Sequence, residues 1–288
     1  HTQTEWTEGD SVLENAEANG FQVATDADEL AAITEADQDE PVLGLFAEGN
    51  MATRFEPHLA SVGGAHDEPV QCTPQDTGDE PDLSQMTDKA IELLDDPEAE
   101  KGFFLQIESA SIDKSAHGSD ICGQIGETER LDEVTKAALD FAKADGDTLV
   151  VVTADHSHST QIVYDDADSV SATARLETAD GPPMPVAYGP IPADEAGESS
   201  TQHTGAQLRV AAYGPGEENV LGQTDQTDLF YTMLSALDPN PDKSDGASDA
   251  GLAKPVAASN PAETCFRVDA NGNMVAPLPG ECAQYGTE

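Results

Sequence analysis

Apolar positions along the first 45 residues alternate between helical and strand spacing. They predict helices over residues 11–19 and from residue 28, and strands over residues 21–25 and 42–46, with Gly20 ending the first helix. Helices and strands that alternate in this way are typical of an α/β fold. We therefore predict a mostly parallel central sheet flanked by helices.

Periodicity fades between residues 55 and 81, where Gly, Pro and Asp become frequent. We predict a long surface loop with structural or functional ties, because compact domains seldom contain unstructured loops of this length. Beyond it, the pattern predicts helices over residues 84–94, 112–117, 128–144 and 225–237, and strands over residues 102–107, 148–153, 185–188 and 207–213. The run at 148–153 is apolar and β-branched, as in a central parallel strand buried on both faces.

The composition changes near the carboxyl end and divides the chain into three parts. Residues 1–238 form the predicted α/β domain, and residues 239–264, rich in Pro, Ala, Ser and Asp, form a linker or wrapping segment. In residues 265–288, Cys265 and Cys282 enclose Asn271-Gly272, a strong hairpin signal. We predict a disulfide-closed hairpin there.

The charge balance is extreme, since 57 acidic and 12 basic residues give a net charge of −45. The acids are spread through periodic segments, which indicates an acidic folded surface adapted to salt. Such a surface argues against nucleic acid and anionic membranes as partners. No apolar run approaches the roughly 20 residues that span a bilayer, and the start at His1 lacks a signal-type stretch, so we expect a processed or internal piece.

The four cysteines fall as two pairs, Cys72 with Cys122 and Cys265 with Cys282, and none has the CxxC spacing of zinc or redox sites. This favours disulfides over free buried thiols. Disulfides in turn favour the periplasm or the cell exterior.

Three segments place carboxylates and imidazoles beside predicted strands, where α/β sheets bind ligands. Asp113 and His117 are four residues apart, so a helix would present both on one face. The other segments are Asp155-His156-Ser-His158 and His203-Thr-Gly. Oxygen and nitrogen ligands without cysteine suit catalytic zinc, although an isolated Asp and His pair is more often a surface ion pair.

Long motifs in the chain resemble the bacterial alkaline phosphatase family from near the start to about residue 237. The similar stretches are Leu43-Gly-Leu-Phe-Ala-Glu-Gly-Asn50, Gln85-Met-Thr-Asp-Lys-Ala-Ile-Glu-Leu-Leu94, Glu108-Ser-Ala-Ser-Ile-Asp113 through His117, Cys122-Gly-Gln-Ile-Gly-Glu127, Thr153-Ala-Asp-His156, His203-Thr-Gly-Ala-Gln-Leu-Arg209 and Thr224-Asp-Gln-Thr-Asp-Leu-Phe-Tyr-Thr-Met233. The spacing of Cys72 and Cys122 also fits the family's disulfide.

The resemblance implies a role for each matching residue. Asp113, His117 and His203 would hold a first zinc ion. Asp155 and His156 would hold a second, and Glu108 would bind magnesium. Lys114 would reach phosphate through water, and His158 would orient a carboxylate ligand such as Asp113.

The resemblance also implies hydrolysis of phosphate monoesters by a homodimer. The family's serine nucleophile, phosphate-binding arginine and bridging aspartate have no matching motif here, so we expect them on an upstream segment of the same enzyme. Two alternatives stay open. One is a non-catalytic extracellular metal-binding or interaction module, and the other is a phosphodiesterase or sulfatase with the same metal core.

Overall fold

A computed structural model describes residues 11–96, 102–192 and 200–237, together with 267–268 and 274–275. The chain divides into two compact units. The first comprises His1–Ala138 and His156–Leu208, and the second comprises Leu139–Asp155 and Arg209–Glu288. The linker predicted at 239–264 and the cysteines predicted to close the terminal hairpin lie outside the described residues.

Helices and strands alternate along the described chain. The helices are α1 (Val12–Ala18), α2 (Ala27–Ala32), α3 (Leu83–Leu94), α4 (Ser111–His117), α5 (Ile121–Asp145) and α6 (Asp228–Leu237). The strands are β1 (Gln22–Ala24), β2 (Val42–Gly44), β3 (Val150–Val152), β4 (Ser157–His158), β5 (Thr160–Ile162), β6 (Ser171–Glu177), β7 (Pro183–Pro192), β8 (His203–Thr204), β9 (Ala211–Tyr213), β10 (Arg267–Val268) and β11 (Met274–Val275). Among the described helices, none is long and apolar enough to cross a membrane.

The amino-terminal part of the first unit is a β-α-β arrangement whose strands β1 and β2 pair in parallel. Ser11 begins α1 with a reciprocal capping box to Glu14, and Asp26 caps α2 through the amide of Glu29. Helix α3 also begins with a capping box. A small core holds these elements together; it consists of Ala24, Leu30 and Ile33, packed against Val42, Phe46, Met86 and Leu93.

The main core of the first unit lies under an antiparallel sheet with the strand order β5-β7-β6. Ala172, Ala174 and Leu176 of β6 pack there with Val186 and Tyr188 of β7. The hydroxyl of Tyr188 donates to Gln124 Oε1 over 3.0 Å. Burial raises the pKa of this tyrosine.

The long loop predicted between residues 55 and 81 is held in place by several contacts. Single bridges join Ser61 to Thr173 and Val70 to Leu176. A disulfide joins Cys72 to Cys122 near the start of α5. The ties predicted for this loop are therefore present, and they connect it to both the sheet and α5.

The second unit contains the antiparallel pair β3 and β9, followed by a short 3-10 helix (Glu217–Val220) and α6. Strands β10 and β11 pair antiparallel. Of the described strand pairs, only β1 with β2 is parallel. The mixed α/β class is confirmed, whereas the mostly parallel central sheet stays a prediction.

Some element predictions differ from the structure. Residues 102–107, predicted as a strand, form no strand among the described residues, and their side chains alternate between half-buried and exposed. Helix α5 begins at Ile121, seven residues before the predicted start at 128, because Asp120 accepts the amide of Gly123. Glycines at 123 and 126 lower helix propensity and so weaken the sequence signal.

Candidate metal centre

Helix α4 places Asp113 and His117 on one face, as their spacing predicts. Asp113 lies in the first turn and His117 is the last helical residue before Gly118. Their side chains meet, with His117 Nε2 at 3.4 Å from Asp113 Oδ2. The helix therefore brings a carboxylate and an imidazole to one point.

The short antiparallel pair of β4 and β8 supplies two further imidazoles. His158 lies directly opposite His203 in the strand register. Residues opposite one another project from the same side of a sheet, and the two ring centroids are 5.5 Å apart. One strand pair thus holds two histidines that are far apart in the sequence.

The helix and the strand pair converge on Asp113. His203 Nε2 lies 3.2 Å from Asp113 Oδ1 and 3.0 Å from His117 Nε2. One ligand atom from each of Asp113, His117, His158 and His203 lies within 4.8 Å of the others. His156 also approaches, with Nε2 at 3.7 Å from Asp113 Oδ1 and its ring stacked on that of His203.

These separations suit a tetrahedral zinc ion. Ligand atoms about 2.0–2.1 Å from such an ion lie roughly 3.3 Å from one another. His117 Nε2 and His203 Nε2 are 3.0 Å apart, and they lie 3.4 Å from Asp113 Oδ2 and 3.2 Å from Asp113 Oδ1, respectively. Two imidazole nitrogens lie as close as 3.0 Å only with a proton or a cation shared between them.

The proton position of His117 fits a ligand role. Its Nδ1–H donates to the carbonyl oxygen of Thr201 over 2.5 Å, and the Ser200 hydroxyl lies 2.9 Å from the same nitrogen. A carbonyl oxygen only accepts hydrogen bonds, so Nδ1 must carry the proton. The lone pair of Nε2 is then directed at Asp113 and His203.

His158 shows the opposite arrangement. Its Nδ1 accepts the amide of Ser159 over 3.0 Å, so the neutral ring carries its proton on Nε2. That nitrogen faces Asp113 Oδ1 at 3.7 Å. At this distance the two atoms make no hydrogen bond, and His158 belongs to the group that could hold an ion. Burial lowers the pKa of His158, as does repulsion from nearby imidazoles, while Asp113 acts in the other direction.

The buried polar atoms of the cluster point to a cation. Asp113 Oδ1 and His158 Nε2 are buried and make no hydrogen bond. His203 Nε2 lies 3.2 Å from Asp113 Oδ1 without forming a hydrogen bond, and a buried polar atom that lacks one costs about 1–3 kcal/mol. The residues therefore fit a divalent metal ion.

Two predicted site residues of the first unit, Glu108 and Lys114, are not in this group. Glu108 and Lys114 are exposed, the first just before α4 and the second within it. Asp155 belongs to the second unit, where its carbonyl oxygen accepts the side-chain amide of Gln226. Thr201 was not foreseen from the sequence, because its contacts are with a helix 84 residues away.

An α/β architecture combined with carboxylate and imidazole ligands for a divalent ion is typical of metal-dependent hydrolases. A family model described as alkaline phosphatase matches residues 1–198 and 191–238. The chain belongs to the alkaline phosphatase family, as its motifs predicted.

Curated relatives agree with the family assignment. The chain is 55% identical to an alkaline phosphatase of Escherichia fergusonii over 239 aligned residues. The alignment covers 82% of this chain and 49% of that protein. The chain is 53% identical to the alkaline phosphatase of Escherichia coli K12 over the same shares of each chain. It is 41% identical to a streptomycin-6-phosphate phosphatase of Streptomyces griseus, covering 80% of this chain and 51% of that protein. The chain thus spans about half the length of these relatives.

Solved structures show the same fold. An alkaline phosphatase from the Antarctic bacterium TAB5 aligns with a TM-score of 0.51 and 21% identity, covering 81% of this chain and 56% of that chain. A variant of the TAB5 enzyme solved with Mg bound in its M3 site gives a TM-score of 0.52. At this level of identity the likeness concerns the fold alone.

Proposed function

We propose that the protein containing this chain hydrolyses phosphate monoesters through a phosphoserine intermediate, at a site with two zinc ions and one magnesium ion. The observation that carries the proposal is the convergence of Asp113, His117 and His203 at separations that suit one zinc ion. Membership of the alkaline phosphatase family supports the reaction class.

Each candidate site residue of this chain has a proposed role. Asp113, His117 and His203 hold the first zinc ion, while His158 orients Asp113 by donating from Nε2. Asp155 and His156, adjacent along the chain, hold the second zinc ion, and Glu108 binds magnesium. Lys114 neutralises part of the phosphate charge through a water molecule. The bound ions would polarise the phosphoryl oxygens and stabilise the entering and leaving oxygens.

The remaining groups belong to an upstream segment of the same enzyme. We propose that this segment carries the serine nucleophile, an arginine that binds phosphate and an aspartate that bridges zinc and magnesium. It would also contribute to the mostly parallel central sheet, while residues 265–288 form a hairpin extension. We place the protein in the periplasm or outside the cell, because the Cys72–Cys122 disulfide requires an oxidising compartment. We expect a homodimer.

The test is hydrolysis of nitrophenyl phosphate by the full-length protein, with nitrophenyl sulfate and bis(nitrophenyl) phosphate assayed in parallel. We expect a preference for the monoester, loss of activity with a chelator and recovery with added zinc. His203→Gln should lower zinc affinity by more than about 100-fold, since loss of an outer-sphere partner alone costs 10–100-fold.

His66→Gln is the matched control. His66 also contacts a carboxylate, that of Asp168, but it is not part of the ligand group. We expect this variant to keep wild-type zinc content and rate. Chelator-resistant activity would contradict the metal mechanism. Faster hydrolysis of the sulfate or the diester would favour the sulfatase or phosphodiesterase alternative.

A further inference from the structure

The segment that carries His203 is fastened to the end of helix α4 by one residue, Thr201. The amide of Thr201 donates to the carbonyl oxygen of His117 over 3.0 Å. Its hydroxyl donates to the carbonyl oxygen of Ala116 over 2.6 Å. Its own carbonyl oxygen accepts Nδ1–H of His117. These three hydrogen bonds join two segments that carry ligands.

The contacts satisfy groups that a helix cannot satisfy alone. The last carbonyl oxygens of a helix have no partner within it; that of His117 accepts the Thr201 amide, and that of Ala116 accepts the Thr201 hydroxyl in addition to the amide of Ser119. Thr201 is 1% exposed, so water cannot replace its hydroxyl. The side chain of Thr201 therefore fixes the position of its own carbonyl oxygen against the ring of His117.

We propose that Thr201 is a positioning residue that sets the proton position of His117 and its distance from His203. The inference rests on the metal site proposed above and adds a residue to it. Thr201 contacts neither substrate nor ion in this assignment. It acts through His117, because a proton held on Nδ1 by the Thr201 carbonyl oxygen leaves the lone pair on Nε2.

The test compares Thr201→Val with wild type in the full-length protein, with cobalt(II) as a spectroscopic probe of the zinc site. Valine keeps the shape and the backbone of threonine but removes the hydroxyl bond to Ala116. We expect a roughly tenfold loss of cobalt affinity and an altered visible spectrum. Thr201→Ser keeps the hydroxyl and should restore both.

Thr173→Val is the matched control, because Thr173 is also 1% exposed and its hydroxyl accepts a backbone amide, that of Ala65. We expect it to lower stability while leaving cobalt affinity and spectrum unchanged. An equal loss of affinity in both valine variants would overturn the proposal, because it would show general destabilisation. Unchanged affinity and spectrum in Thr201→Val would overturn it as well.

Nitrogen NMR of the metal-free wild-type protein gives a second test that needs no substitution. At a pH at which the imidazoles are neutral, we expect the proton of His117 on Nδ1. A proton on Nε2 would overturn the proposal. Failure of wild type to bind cobalt at all would instead contradict the metal site, and with it the proposed function.

Discussion

At the residue scale, the histidines of the cluster differ in which ring nitrogen carries the proton. His117 gives its Nδ1–H to a carbonyl oxygen, whereas Nδ1 of His158 accepts an amide. The first ring offers a lone pair to the cluster and the second offers a proton. Two side chains of one type can therefore bind an ion and orient its carboxylate ligand, respectively.

The lowered pKa of His158 predicts how the stability of the metal-free protein depends on pH. Its pKa is lowered in the folded protein, chiefly by burial, whereas an unfolded histidine titrates at about 6.5. Below that pH the unfolded state gains a proton that the folded state does not, so the free energy of unfolding falls as pH falls, until the folded pKa is reached. We expect metal-free wild type to lose stability relative to His158→Gln between about pH 7.5 and 5.5.

Urea unfolding of both proteins in the presence of chelator measures this difference. The variant serves as the reference, because it removes the titration of His158. A stability difference that does not change with pH would contradict the assigned direction of the shift.

Helical spacing and positions beside strands were visible in one dimension and indicated the three segments that carry the carboxylates and imidazoles, whereas the grouping of Asp113, His117 and His203 came from the family resemblance. The sequence could not reveal Thr201. A threonine two residues before a histidine has no distinctive pattern, and its role comes from hydrogen bonds to carbonyl oxygens on a remote helix.

At the scale of elements, local capping chemistry and long-range packing were not equally predictable. Helices α1 and α3 begin with capping boxes that are encoded within four residues, and both were predicted to within one residue. Strand β6 was missed. Its buried residues include the small Ala172, Thr173 and Ala174, whose burial depends on β7 and on the loop at 55–81 rather than on a local apolar pattern.

The contact between that loop and β6 leads to a second prediction. A Cβ added at Gly64 would lie 2.1 Å from the carbonyl oxygen of Thr173, which belongs to a paired strand and cannot move freely. Overpacking of this kind costs about 1–3 kcal/mol. We therefore expect Gly64→Ala to destabilise the protein by at least this amount in denaturant unfolding.

Gly49→Ala is the control, because an added Cβ there meets no atom within 4 Å. It should be neutral or slightly stabilising, since alanine restricts the unfolded chain. Equal stability of the two variants would mean that the loop does not pack against β6 as described.

At the scale of the whole molecule, the dominant feature is the net charge of −45. Carboxylates at this density repel one another in the folded state, and that repulsion is screened as salt is added. The screening length falls from about 10 Å at 0.1 M to about 3 Å at 1 M salt. Ion pairs such as that of Arg175 with Asp165 draw on only 12 basic residues for 57 acidic ones, so they cannot offset the excess.

We expect the melting temperature to rise between dilute buffer and about 1 M sodium chloride. Differential scanning calorimetry of the full-length protein measures it, with a less acidic member of the family as the comparison. A melting temperature that does not rise with salt would contradict the proposal that the protein is adapted to salt.

Helix α4 and strand β8 each carry a histidine that lies beside Asp113, and this arrangement affects the order in which the site assembles. His117 and His203 are 86 residues apart, so an ion bound by both would act as a cross-link that closes a long stretch of chain. Both ligands can hold the same ion only once β8 has docked on α4, so we expect stable metal binding to follow that docking. Hydrogen exchange should accordingly slow in α4 and β8 together when zinc is added, and slowing in only one of them would contradict a shared ion.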